Sequence, residues 1–205
     1  MHISDGVLPT PVAIAAFAAT IVITGWSVRK TDPEELPKVA VVTSAFFVAS
    51  LVHVPMGPTS VHLLLPGLVG ILLGRSAFVS ITLGIVLQSF LFQFGGITAI
   101  GANSIMMGLP ALAAGLLFRW LKGSTLTRHM AAAALAGGAC VILAVGILAG
   151  LLYTGGEDFL GIARIAAAAH LPVVGIEAAI SAFTVSFLFK VKPELLETRP
   201  AYTAH

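Results

Sequence analysis

Between Met130 and Tyr153 the chain runs for 24 residues without one Asp, Glu, Lys or Arg. An α-helix needs roughly 20 mostly apolar residues to cross a bilayer, so this stretch decides the solvent in which the chain folds. Six further segments repeat the pattern, at Leu8 to Trp26, Val39 to Val54, His62 to Gly74, Ala77 to Phe94, Ile105 to Leu121 and Ile165 to Phe189. Hydropathy alone would fuse the third and fourth of the seven. Together they exceed one crossing, and Arg75 with Ser76 divides them. The fold class expected is an all-α integral membrane protein, a bundle of about seven transmembrane helices in one polytopic domain covering residues 1–205. Composition agrees: 58% of the chain is hydrophobic and 10% charged, against about 25% charged in a soluble domain.

Several function classes fall away at once. A formal charge of +2 gives nucleic acid no purchase. The single cysteine, Cys140, permits neither a disulfide framework nor a CxxC metal site. No GxxxxGK[ST] loop occurs, and short loops between spans leave no room for a nucleotide fold. An intramembrane enzyme using Ser60 with His62, or Ser104 with His170, lacks any recognisable nucleophile elbow, and no HExxH is present.

Seven crossings assign every basic residue to a side. Arg29, Lys30, Lys38, Arg75, Arg119, Lys122, Arg128, Lys190, Lys192 and Arg199 fall together, and Arg164 alone falls opposite. Basic residues accumulate on the cytoplasmic side, so the N-terminus is expected outside and the C-terminus in the cytoplasm. No basic residue precedes the first apolar run, so the opening MHISDGVLPTP does not read as a cleaved secretory leader.

That topology gathers the unusual polar residues. His2, Asp5, His53, His62, Asn103 and His170 fall at or near the outer half, whereas His129 lies inside and His205 in the C-terminal tail. The third segment is too short for a full crossing, at about 1.5 Å per residue. Before it, PMGPTSVH holds two prolines and a glycine and cannot form a regular helix. Irregular backbone at that depth is tolerated only within protein or beside a cavity. An outward-opening cavity is expected, within reach of residues 1–7.

Those residues carry a specific chemistry. A free terminal amine, the amide nitrogen of residue 2 and the imidazole of a histidine at residue 2 close a five-membered and then a six-membered ring around one ion. The amine (pKa about 8) and imidazole (about 6.5) lose their protons readily; the amide does so only to a strongly binding metal. One more imidazole completes four nitrogens in a plane, which suits Ni(II) or Cu(II) and, less exclusively, Co(II). Zn(II) favours a tetrahedron. The expected ligands are therefore Met1, His2 and, as the buried outer histidine beside a broken segment, His62. Asp5 is expected to order the N-terminal turn, and Asn103 to stand behind the ligands as an orienting amide. Met106 and Met107 read as packing. Gln88 and Gln93 read as hydrogen-bonding partners between helices. His170 and Glu177 share a helical face and read as structural or gating residues. A stand-alone channel or proton-coupled secondary transporter would use the same pair as a relay.

The opening MHI-x-D-G-x-L, the histidine in PTSVHLLLPGLVGILLG, the block LFQFGGITAIGANSIMMGLP and the late AHLPVVGIE together resemble the CbiM/NikM family. Its members are the cobalt- and nickel-specific membrane components of energy-coupling-factor (ECF) transporters of prokaryotic cytoplasmic membranes. The resemblance covers nearly the whole chain. It implies a seven-helix bundle whose additional N-terminal helix carries a metal-capturing plug, with Ni2+ or Co2+ as transported substrate and no catalytic cofactor. It carries ligation onto Met1, His2 and His62, and implies a transmembrane coupling protein, ATP-binding-cassette ATPases and a small accessory membrane subunit as partners.

Overall fold

The structure is a computed structural model that describes residues 2–56, 59–62, 65–156 and 159–197, with side chains for all of these except 53–62 and 160. Among the described residues are seven α-helices: α1 (Thr10–Arg29), α2 (Leu36–Ala49), α3 (Pro66–Leu73), α4 (Ala77–Phe92), α5 (Ile100–Leu121), α6 (Leu126–Thr154) and α7 (Phe159–Val191). A two-stranded hairpin, β1 (His53–Met56) and β2 (Thr59–His62), joins α2 to α3.

Among the described residues, five stretches are long and apolar enough to cross a membrane: α1, Pro66–Phe92, α5, α6 and Gly161–Val191. The second comprises α3 and α4, and it breaks where expected. Gly74 takes φ +56° and ψ −113°, a conformation that favours glycine, and Arg75 follows in a single 3₁₀ turn. Alone, α3 has eight residues, about 12 Å, and α2 has 14, about 21 Å; each falls short of the roughly 30 Å hydrocarbon core.

Boundaries differ from the sequence reading in three informative places. The second helix ends at Ala49 rather than Val54, because Pro55 lacks a donor for a helical hydrogen bond and the chain turns into β1. The stretch PMGPTSVH is not a helix, as expected, but much of it is regular extended pairing, with His53 opposite His62, Val54 opposite Val61 and Pro55 opposite Ser60. His62 therefore ends a strand and does not begin the third helix, which starts at Pro66. The fifth helix begins at Ile100 rather than Ile105, which puts Asn103 on its first turn.

The packing inverts the pattern of a soluble protein. Ile14, Ile21 and Val22 of α1, Leu135 and Ile142 of α6, and Leu171, Phe183 and Phe187 of α7 face outward, while His2, Gln88, Asn103, His170, Glu177 and Ser181 are buried. Since lipid is as apolar as leucine, helices there associate through close packing of small residues and interhelical hydrogen bonds. Both devices are present. A Cβ on Gly70 would collide with the Ala111 carbonyl, so α3 lies backbone to backbone on α5. Thr20 donates to the Gly101 carbonyl at 2.8 Å and Ser27 to the Arg75 carbonyl at 2.7 Å, tying α1 to α5 and to the α3–α4 bend.

Candidate metal centre

Residues 2 and 3 are part of the core. His2 is 2% exposed and Ile3 wholly buried, after which Ser4, Asp5 and Gly6 emerge and turn into α1. Three side chains hold this segment, each from a different direction.

Asn103 grips the backbone of Ile3 at two points. Its Oδ1 accepts from the Ile3 amide at 2.8 Å and its Nδ2 donates to the Ile3 carbonyl at 3.1 Å. An amide side chain has one acceptor and one two-hydrogen donor, so this pairing mimics a strand edge and fixes the register of the segment. Asn103 thus holds the backbone beside His2 and not the imidazole.

The imidazole is held by Gln88, with His2 Nε2 and Gln88 Oε1 at 2.9 Å. The acceptor is a carbonyl oxygen, so Nε2 donates, and in a neutral ring Nδ1 then carries the lone pair. Nδ1 is the nitrogen bonded to Cγ, the one that can close a six-membered ring with the residue's own amide nitrogen. Gln88 therefore selects the tautomer that chelation through residue 2 requires. Its other side-chain polar atom, Nε2, has no hydrogen-bond partner among the described residues. Phe94 flanks the ring at 6.1 Å between centroids.

Asp5 reaches across to the 93–99 connection. Its carboxylate accepts from the Thr98 amide at 2.8 Å, the Ile97 amide at 3.2 Å and the Thr98 hydroxyl. The first amides of a helix have no partner within it, and these lie just ahead of α5. Asp5 is expected to order the N-terminal turn; the amides it accepts belong instead to the 93–99 connection, so it caps the approach to another helix. The Thr98 hydroxyl, with the backbone amides, pulls the Asp5 carboxyl below its ordinary range.

The connection is moulded around the segment. Gly95 and Gly96 adopt φ +82° and +78°. A Cβ on the first would strike the Asn103 amide and crowd the His2 ring and Ile3 carbonyl; on the second it would strike the Asp5 carboxyl group.

Of the expected ligands, His2 lies at the centre of this arrangement, and Met1 and the side chain of His62 lie outside the described residues. Among those described, no three His, Cys, Asp or Glu side chains converge. Farther along, the buried stripe of α7 contains His170, Glu177 and Ser181. The Glu177 carboxylate accepts from the Gly67 amide at 2.6 Å and also from that of Leu68, capping α3. Met106 and Met107 are fully buried packing residues. His129 stands apart at the far end of α6, packed on Phe118 and Phe189.

Gln88 is the residue whose role the sequence concealed. An amide in an apolar span signals a hydrogen bond in the membrane; that its partner is the second residue of the chain follows only from the docking of the segment.

Residues 2–195 match the family described as the cobalt uptake substrate-specific transmembrane region, CbiM. The chain is 33% identical to a Haemophilus influenzae protein described as a metal transport protein, over 96% of this chain and 97% of that one. It is 28% identical to an Archaeoglobus fulgidus protein described as a fused nickel transport protein, NikMN, over 98% of this chain and 70% of the other. A crystal structure described as that of a transition metal transporter superposes with a TM-score of 0.76 at 26% identity, covering 93% of each chain.

Proposed function

Because the chain belongs to the cobalt uptake substrate-specific transmembrane (CbiM) family, a cobalt/nickel transport type of membrane component, we propose that it is the substrate-binding subunit of an ECF-type importer for Ni2+ or Co2+. The ion is held by the Met1 amine, the His2 amide and Nδ1, and the His62 imidazole, with residues 1–7 as the capturing segment. The observation that carries this reading is the Gln88–His2 hydrogen bond. A histidine buried for packing alone is served by either tautomer; a chelating one is served by this tautomer only.

The rest follows from the positions of the clamps. Asn103 and Asp5 bring the segment down over the pocket from two sides, so its docking strips water from the captured ion and closes the outer end. The single polytopic domain crosses the prokaryotic cytoplasmic membrane with its N-terminus outside and C-terminus inside. It has no phosphate-binding loop of its own, so reorientation is driven by ATPase subunits through a transmembrane coupling protein, with a small accessory membrane subunit. The fused architecture of the Archaeoglobus relative supports partnership with further transporter components.

The test is bound metal, by elemental analysis and titration in detergent, for protein with its native N-terminus and for protein with one residue added before Met1. Stoichiometric Ni(II) or Co(II) is expected only in the first, because an acylated amine is a poor donor and an added residue has no space beside a 2%-exposed His2. Equal binding by both forms overturns the chelate.

A further inference from the structure

Between α2 and α7 the bundle leaves a groove of about 560 Å³. It arises because α2 packs mainly on α4 and α7 mainly on α6, with the short α3 between them. Lys38, Val41 and Ala45 form one stripe along α2, Leu68 and Leu72 of α3 make the floor, and Leu188 of α7 the far wall. The wall extends along α2 from Pro37 to Phe46, about 14 Å at the helical rise. A space of about 560 Å³ over that length is about 40 Å² in cross-section, whereas a helix with its side chains is about 10–12 Å in diameter. The groove therefore admits a hydrocarbon chain and not a helix.

One end of this apolar wall is charged. Among the described lining residues Lys38 is the one ionisable side chain. It donates at 2.8 Å to the carbonyl of Leu195, in the 3₁₀ turn Pro193–Leu196 that follows α7. An ammonium has three hydrogens, so this bond leaves it able to serve a further acceptor. Lys122 donates to the next carbonyl, that of Leu196, at 3.3 Å, so two cations meet the same turn. Glu35 is not on the wall, and its carboxylate accepts from the Ser76 hydroxyl at 3.5 Å. Residues 198–205, which follow the turn in sequence, read TRPAYTAH; an arginine, a histidine and two threonines would find almost no partners on such a wall.

We propose that the groove between α2 and α7 binds one acyl chain of an anionic phospholipid, with the lipid phosphate held by Lys38. The inference requires only that the chain sits in a membrane, and stands or falls separately from the metal chelate. The stem of a lysine lies along apolar surface while its ammonium stays at the polar boundary, which is where a phospholipid carries its charge. The apolar stripe recognises the chain, and the cation selects the headgroup.

The experiment adds phosphatidylglycerol or phosphatidylcholine to delipidated protein in detergent and counts bound lipid by native mass spectrometry, in the parent and in Lys38→Gln, Lys38→Arg and Ala45→Phe. Expected is one phosphatidylglycerol per chain, held about fivefold more tightly than phosphatidylcholine, the worth of one lysine beside an anionic lipid surface. Lys38→Gln should abolish that preference and Lys38→Arg keep it, while Ala45→Phe, which fills the groove, should release both lipids. No preference in the parent, or one that survives Lys38→Gln, overturns the proposal. A photoactivatable acyl chain should label α2, α3 or α7 of the parent; labelling elsewhere, or none, also overturns it, and this measurement decides if Ala45→Phe fails to fold. Crosslinks between residues 198–205 and the groove would assign the space to the chain's own tail and overturn the lipid site.

Discussion

Two carboxylates in this protein do the same job in opposite surroundings. Asp5 accepts the amides of Ile97 and Thr98 just ahead of α5, in the open. Glu177 accepts those of Gly67 and Leu68 at the start of α3, fully buried. Water can replace Asp5 when it is removed, whereas nothing in the apolar wall can replace Glu177. The same contact is therefore a fine adjustment at the surface and a structural requirement within the bundle.

The sharpest way to break the comparison is Glu177→Ala. It strands two amides in an apolar setting, at about 1–3 kcal/mol each, and frees the helix that follows the His62 strand. A marked drop in the unfolding temperature in detergent is expected, together with weakened metal binding. Glu177→Gln keeps an acceptor oxygen and should recover much of the loss; if it behaves like the alanine variant, capping is not the role of the carboxylate.

Gln88→Leu should leave the fold intact, since it also removes an Nε2 that has no partner among the described residues. It releases the His2 tautomer, so metal affinity should fall about 10–100-fold, the usual effect of losing the group behind a ligand. Isothermal titration checks this, and an unaltered affinity would detach Gln88 from the site.

The smallest effect belongs to Asp5. Its carboxyl is held below the ordinary range chiefly by the Thr98 hydroxyl, so the stabilisation it brings is complete above the ordinary carboxylate pKa of about 4. It is lost as pH falls through the lowered value. Hydrogen exchange at the Thr98 amide should quicken across that acid window in the parent, and stay fast and nearly flat in Asp5→Ala. A parent profile equally flat would remove Asp5 as the cap.

How far these contacts could be read from sequence depends on how local they are. The apolar runs and the break at Arg75 are each complete within a few residues, and each was legible. The start of α5 was not, because its approach is capped by a carboxylate 92 residues away in sequence from Ile97, whereas start signals normally lie within a turn. Nor was the hairpin: PMGPTSVH announces only that it is not helical, and its pairing of His53 with His62 needs the register. Gln88 and Glu177 announced themselves as polar groups in apolar spans, but their partners, His2 and the α3 amides, come from chain segments 86 and 110 residues distant.

The reach of Asp5 to the 93–99 connection also has a meaning in time. On the proposed reading, the bonds that hold the N-terminal segment over the ion are the bonds that shield the Ile97 and Thr98 amides. Every opening of the segment would bare those two hydrogens to solvent, so on that reading their exchange times how long an ion stays enclosed.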